Sequence, residues 1–111
     1  MQLIQEHTNF IKQTALSLGF SHCGIAKAAP LDEDARRLEK WLHAGMHGSM
    51  QYLENHFDLR VDPTKLVPGA KSVITLTQNY YSPKKQPADS PKISTYAYGT
   101  DYHYVIKEKL N

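Results

Sequence analysis

The hydrophobic positions near the start of the chain recur at helical spacing and predict two helices. Between Leu3 and Leu18 the apolar residues follow a period close to that of an α-helix, and Gly19 stands where a left-handed helix cap is expected. A second helix is predicted from the acidic turn at 32–34, whose charge suits a helix N-terminus, to Gly45. We therefore expect helices over much of the first half of the chain.

Three shorter apolar segments predict strands. Residues 23–26 are small and apolar, and we expect a buried strand there. Residues 73–77 are rich in β-branched side chains, with apolar residues on both faces, which favours a central place in a sheet. A last strand is predicted at 93–97, followed by a helix from Asp101 onward with Thr100 as its N-cap. The predicted fold class is α/β (mixed α+β), with short helices around a small mixed sheet.

The remaining segments predict turns and loops. Residues 49–55 predict a short helix, and the proline at position 63 favours an extended or turn geometry just before it. The segment 82–92, which contains prolines and lysines, predicts a solvated hairpin or crossover loop. The last predicted helix runs into Asn111 without a cap, so we expect the chain to be a truncated piece of a longer protein.

Composition narrows the classes of function. The chain has 111 residues, enough for one domain, and a formal net charge of +2, too small to indicate nucleic-acid binding by itself. The single Cys23 excludes a disulfide framework, a cysteine-based zinc site and a self-contained iron–sulfur cluster. No apolar stretch approaches the ~20 residues that cross a bilayer, and no signal pattern opens the chain. We expect a cytoplasmic protein without a membrane partner.

The tyrosines are concentrated near the end of the chain. Six of the seven lie between residues 80 and 104, namely Tyr80, Tyr81, Tyr96, Tyr98, Tyr102 and Tyr104. A tyrosine combines a flat apolar ring with a hydroxyl that needs a partner, so the cluster predicts the wall of a pocket for a large planar ligand. Ordinary strand packing is the alternative, because tyrosine is favoured in sheets.

Asp101 and His103 open the last predicted helix. Free backbone N–H groups and the helix dipole favour polar or anionic ligand groups at such a position. His103 can exchange a proton near neutral pH, and Asp101 can orient it or donate to a substrate. An aspartate in a first helical turn is also a common stabilising device, which is the alternative.

Two further candidates carry chemistry that is less specific. Arg60 can recognise phosphate, carboxylate or amide oxygens with two hydrogen bonds, unless a salt bridge to Asp58 or Asp62 occupies it. His43 and His47 stand four residues apart, as metal ligands on a helix do. A glycine lies between them and no third ligand shares the spacing, so we predict no metal site.

Taken together, several segments resemble the N-terminal region of the epoxyqueuosine reductases. They run in order, at the spacing of the family, from about Leu18 to the end of the chain. The matching segments are Leu18-Gly19-Phe20, Cys23-Gly24-Ile25-Ala26, Trp41-Leu42, Gly45-Met46-His47-Gly48-Ser49-Met50-Gln51-Tyr52-Leu53, Arg60-Val61-Asp62-Pro63, Leu66-Val67-Pro68-Gly69-Ala70-Lys71-Ser72-Val73-Ile74, Asn79-Tyr80-Tyr81 and Tyr96-Ala97-Tyr98-Gly99-Thr100-Asp101-Tyr102-His103.

The resemblance implies an oxidoreductase that reduces epoxyqueuosine to queuosine in tRNA, using cobalamin and 4Fe–4S clusters. It implies that residues 1–111 are a single partial domain, the N-terminal cobalamin-binding part of a larger corrinoid-binding domain. The ferredoxin-like region with the cluster cysteines, and the acid catalyst, would lie downstream. The residues implied to bind cobalamin are Arg60, Tyr96, Tyr98, Gly99, Asp101, Tyr102 and His103.

Within this interpretation we expect no catalytic residue and no metal ligand among the 111 residues. We also expect these residues alone to be catalytically inactive. Apolar surface left exposed by the missing part would favour a dimer. Three alternatives remain open at this point: a non-catalytic cobalamin-binding module, a flavin-binding, nitroreductase-like fragment, and a fragment that only binds tRNA.

Overall fold

A computed structural model describes residues 1–111 and has the predicted mixed α/β class, with short helices and one small sheet. In chain order the elements are α1 (Gln2–Ser17), β1 (His22–Lys27), α2 (Asp32–His43), a 3₁₀ turn (Gln51–Glu54), α3 (Phe57–Arg60), α4 (Pro63–Leu66), β2 (Ser72–Thr77), a second 3₁₀ turn (Thr95–Ala97) and α5 (Tyr102–Leu110). That this fold is part of a corrinoid-binding domain stays a prediction.

The sheet consists of β1 and β2, paired antiparallel. The Ser21 N–H donates to the Thr77 carbonyl at 2.9 Å, and the Ala28 N–H donates to the Lys71 carbonyl at 3.0 Å. Because β2 has β1 as its one neighbour, the prediction that it lies centrally in a sheet is wrong. A pattern with apolar residues on both faces does not by itself tell how many neighbouring strands a chain provides.

Strand β1 forms where we predicted it, but the prediction that it is buried is wrong. Cys23 and Ile25 point to one face and are half-buried, while the other four residues are exposed. Gly24 is needed for close approach, since a Cβ there would stand 2.9 Å from the Thr75 hydroxyl oxygen. The faces of a strand are buried only where other elements pack on its sheet, and here one face of β1 is partly covered and the other is open.

The predicted last strand at 93–97 is also wrong. Residues Thr95–Ala97 form a 3₁₀ turn instead, in which the Ala97 N–H donates to the Ser94 carbonyl and the Tyr98 N–H to the Thr95 carbonyl, each at 3.0 Å. Strand propensity is a weak preference that depends on a neighbouring strand. Without that partner the backbone N–H groups bond to local carbonyls.

The chain divides into two compact units. The first comprises Met1–Gly24 and Thr75–Asn111, and the second comprises Ile25–Ile74. The first unit contains α1 and α5, and its buried apolar residues are Ala15 and Phe20.

The end of α5 is attached to the rest of the first unit by one side chain. The ammonium of Lys109 lies 5.2 Å from the centre of the buried Phe20 ring and donates a hydrogen bond of 2.8 Å to the Gln78 side chain. Gly19, with a φ of +94°, ends α1 as predicted and leads into Phe20. Lys109 therefore holds α5 against the end of α1 and the residue that follows β2.

Helix α1 forms as predicted, with most of its apolar face exposed. Phe10 is 71% exposed, and Leu3 and Ile4 are similarly open, whereas Ala15 is buried and Ile11 half-buried. None of the helices combines the length and the hydropathy that crossing a bilayer requires.

The second unit is built around α2 and the short helices after it. The predicted face of α2, formed by Ala35, Leu38 and Leu42, is half-buried. The predicted helix at 49–55 is a single 3₁₀ turn, Gln51–Glu54. The buried polar side chains of the unit are those of His47 and Asp62.

The substitution Lys109→Met tests the attachment of α5. It keeps a flexible chain over Phe20 but removes the charge and the hydrogen bond to Gln78. We expect it to lower the free energy of unfolding by about 1 to 2 kcal/mol, measured by denaturant unfolding. Lys107→Met is the matched control, because Lys107 lies in the same last turn of α5 and is exposed. Equal midpoints for the two variants would contradict the role of Lys109.

Candidate functional site

A concavity of about 610 Å³ opens in the first unit between the residues after β2 and the start of α5. Five of the six clustered tyrosines line it: Tyr80, Tyr81, Tyr96, Tyr98 and Tyr102. The sixth, Tyr104, is not among the lining residues and is 71% exposed. The structure thus gathers these tyrosines at one concave surface, as predicted from their clustering.

The rings of this surface support one another. Tyr96 lies between two others, with its ring centre 6.4 Å from that of Tyr80 and 6.0 Å from that of Tyr102, and both pairs meet edge to face. This is the arrangement that the quadrupoles of aromatic rings favour. The contacts restrict the rotation of all three rings, so the wall offers preformed flat surfaces to a ligand.

The polar segment 82–92 closes one side of the concavity. Lys84 and Lys85, which the sequence places on a solvated loop, line the site together with Gln86. The side-chain Oε1 of Gln86 accepts from the Ile93 N–H at 2.9 Å, and the side-chain Nε2 donates to the Pro91 carbonyl at 3.1 Å. These two bonds brace a loop that has no strands of its own.

Asp101, and not Thr100, is the N-cap of α5, so that prediction is wrong. The Asp101 carboxylate accepts from the His103 backbone N–H at 2.9 Å and from the ring Nδ1 of the same residue at 2.7 Å. Gly99, with a φ of +69°, turns the chain just before the cap. An aspartate two residues ahead of a free helical N–H satisfies that donor directly, and the chain takes this option over a threonine cap.

The hydrogen bonds of the cap also affect the pKa of the Asp101 carboxyl group. The hydrogen bond from the His103 backbone N–H, and next that from the His103 ring, hold the pKa of Asp101 below its ordinary value of 3.8. Donation from Nδ1 to the carboxylate assigns a proton to that nitrogen, and neither Asp101 nor His103 is among the residues that line the concavity. The Tyr102 ring stacks on the imidazole with its centre 4.0 Å away.

Arg60 belongs to the second unit, at the last position of α3. Its Nη1 donates to the carbonyl oxygen of Leu53, and no salt bridge with Asp58 or Asp62 is formed. The Asp62 carboxylate instead caps α4, accepting from the Thr64 N–H at 3.0 Å and the Thr64 hydroxyl at 2.6 Å. The alternative that we considered for Arg60 is therefore wrong, because the nearby carboxylate is used by the cap.

Sequence reasoning missed the role of His47. The sequence spacing pairs it with His43 as a candidate metal ligand, whereas its Nε2 lies 2.6 Å from the Glu54 carboxylate and the side chain is buried. The available signal was its place between Gly45 and Gly48, both of which have a positive φ. Two such turns within four residues can direct the side chain between them inward.

The variant Asp101→Asn tests the cap through its pH dependence. Because the pKa of Asp101 is lowered in the fold, the stability that the cap contributes is present above 3.8 and is lost as the pH falls through the folded value. The His103 amide signal in NMR spectra is therefore expected to titrate below pH 3.8 in the natural sequence. In Asp101→Asn that titration disappears, while the Thr64 amide still follows Asp62. A His103 amide that titrates identically in both proteins would contradict this cap.

Comparison with known proteins shows which proteins the chain is similar to. The family described as Epoxyqueuosine reductase QueG, DUF1730 matches residues 60–111. The epoxyqueuosine reductase of Cellulophaga algicola is 57% identical over 110 residues, and that of Cyclobacterium marinum is 53% identical over 112 residues. Each match covers 99% of this chain and 36% of the relative.

The similarity extends to more distant organisms. The epoxyqueuosine reductase of Vibrio cholerae is 38% identical over 112 residues, which cover 96% of this chain and 30% of the relative. No solved structure is significantly similar. The chain is similar to the epoxyqueuosine reductases over nearly its whole length, and it spans about a third of the length of the curated relatives that it matches.

Proposed function

We propose that the chain is the cobalamin-binding, N-terminal part of an oxidoreductase that reduces epoxyqueuosine to queuosine in tRNA. One observation carries the proposal. The part of the chain that matches the family, residues 60–111, includes every residue named below for the aromatic concavity and the capped start of α5. A family-specific segment thus forms a preformed surface of the kind that a broad, planar ligand needs.

Cobalamin fits this surface in part. The corrin ring is a wide macrocycle whose edge carries amide groups, and a concavity of about 610 Å³ can take one side of it. Tyr96, Tyr98 and Tyr102 would hold the ring by aromatic contact. The backbone at Gly99 and the polar side chains of Asp101 and His103 would receive the amides, because free N–H groups and acceptors stand together at a helix start.

We also propose Arg60 as a cobalamin-binding residue, as the family resemblance implies. With Nη1 held by the Leu53 carbonyl and no carboxylate paired with it, the guanidinium has further donors for amide or phosphate oxygens.

The 4Fe–4S clusters do not fit the residues of this chain. Such a cluster is commonly held by four cysteine thiolates, and Cys23 is the one cysteine present. In the proposed enzyme the clusters belong to the part of the protein outside these residues, and we assign no step here to them.

These assignments give the cofactor and the residues of this chain different roles. Cobalamin, when bound, supplies the redox-active metal centre, while the residues of this chain bind it, orient it and keep water from the aromatic wall. Asp101 is a poor proton donor at neutral pH, because two hydrogen bonds from His103 stabilise its ionised form and lower its pKa. The proton for the departing epoxide oxygen must therefore come from a group other than Asp101.

Cobalamin binding tests the proposal directly. Titration of the chain with hydroxocobalamin, followed by calorimetry and by the corrin absorption bands, should show saturable binding, and flavin mononucleotide should give none. Tyr98→Ala should weaken cobalamin binding about tenfold, since it removes one aromatic wall contact. Tyr104→Ala, which alters a tyrosine outside the concavity, should leave the affinity unchanged. Flavin binding without corrin binding would overturn the proposal.

A turnover experiment tests whether the residues of this chain bind the cofactor without completing the reaction. We expect no queuosine when the chain of 111 residues is incubated with cobalamin, a reductant and tRNA that contains epoxyqueuosine, because the clusters and a proton donor are missing. A longer protein that includes the other two thirds of the family's length serves as the positive control. Queuosine formed by the 111 residues alone, detected by mass spectrometry of digested tRNA, would show that the assignment to binding is wrong.

A further inference from the structure

A buried histidine in the second unit has no role in the function proposed above. The His47 side chain is 7% exposed, and its ring centre lies 5.8 Å from that of Trp41. The turns at Gly45 and Gly48, with φ values of +68° and +59°, follow the end of α2 and bring the imidazole inside. Burying a polar ring costs free energy unless hydrogen bonds compensate, so the contacts that His47 makes indicate what it does.

The imidazole acts as a hydrogen-bond donor to Glu54. Its Nε2 lies 2.6 Å from Glu54 Oε1, while its Nδ1 is buried without a partner. A proton on Nε2 alone leaves only an unfilled acceptor at Nδ1, whereas a proton on Nδ1 would be a buried and unsatisfied donor. The hydrogen-bond network therefore assigns the tautomer with the proton on Nε2, and the ring holds the end of the turn Gln51–Glu54.

The same turn receives Arg60. The carbonyl oxygen of Leu53, one residue before Glu54, accepts from Nη1 of the guanidinium. Helix α3 begins after His56, whose left-handed φ of +56° turns the chain, and the Arg60 N–H donates to the His56 carbonyl at 2.9 Å. Arg60 thus points back to the turn that His47 holds.

We propose that His47 is a positioning residue for Arg60. The imidazole holds Glu54, Glu54 holds the turn, and the Leu53 carbonyl of that turn orients the guanidinium, whose remaining donors stay available for a ligand with acceptor oxygens. The inference rests on the proposed function in one respect, because it takes that ligand to be cobalamin. Ordering a long side chain before binding improves affinity, since the ordering no longer opposes association.

The orientation of Arg60 can be measured without any ligand. In NMR spectra the side-chain Nε–Hε signal of Arg60 is compared with that of Arg36, which is exposed and forms no salt bridge, unlike Arg37. We expect His47→Leu to move the Arg60 signal toward that of Arg36 and to speed its hydrogen exchange at least several-fold. His47→Gln should preserve the signal, because its amide can donate to Glu54 in place of Nε2. His43→Leu is the matched control and should change nothing.

A second pair of variants keeps the test decisive if His47→Leu loses the fold. Glu54→Ala removes the acceptor from a side chain that is 56% exposed, and Glu54→Gln keeps an oxygen there. Backbone amide spectra confirm that each variant is folded. An Arg60 signal that is unchanged in folded Glu54→Ala or His47→Leu protein overturns the inference.

Cobalamin affinity then tests the consequence for binding. His47→Leu and Glu54→Ala should each weaken binding about threefold to tenfold, and neither should matter once Arg60→Ala is present. Losses that persist in the Arg60→Ala background would show that His47 acts through the fold alone and would overturn the inference. If the natural chain binds no cobalamin, the proposed function fails, and the Arg60 signal still decides whether His47 positions Arg60.

Discussion

The ammonium of Lys109 is the group on which the first unit depends most. Its contact with the Phe20 ring and its hydrogen bond to Gln78 join α5 to the end of α1 and to the residue after β2. Ala15 and Phe20 are the buried apolar residues of that unit, so little apolar burial is available to hold α5. The polar contacts of Lys109 hold α5 where apolar burial does not. The position of the candidate site, at the other end of α5, therefore depends on these contacts.

Periodic segments could be predicted from the sequence, because the information for them is local. Helices α1 and α2 follow from apolar spacing and their end signals, and β1 and β2 follow from short runs of β-branched or small residues. The burial of a strand could not be predicted in the same way, because it depends on how many other elements pack against that strand. Residues 93–97 show the limit most clearly, since their strand propensity is not realised without a partner and a 3₁₀ turn forms instead.

Some features of the candidate site could be predicted from the sequence and others could not. The gathering of tyrosines around Tyr96 followed from their clustering in the sequence, and the structure adds the edge-to-face contacts. The choice of Asp101 over Thr100 as the cap depended on one turn of backbone at Gly99, which residue types alone do not determine. The glycines on either side of His47 were a signal for its burial, but its partner could not be predicted, because Glu54 stands seven residues away on a turn of irregular geometry.

In both units, local hydrogen bonds hold exposed polar side chains in place. In the first, the Asp101 carboxylate orders His103 by accepting from both its backbone and its ring. In the second, a buried imidazole orders the turn that receives Arg60. In each case local hydrogen bonds hold an exposed side chain and leave some of its donors or acceptors free, which reduces the ordering that binding would otherwise require. Groups held in this way suit recognition better than proton transfer, because the bonds that orient Asp101 also keep it ionised. This arrangement supports the proposal that the described residues bind a cofactor and do not donate the proton of the reaction.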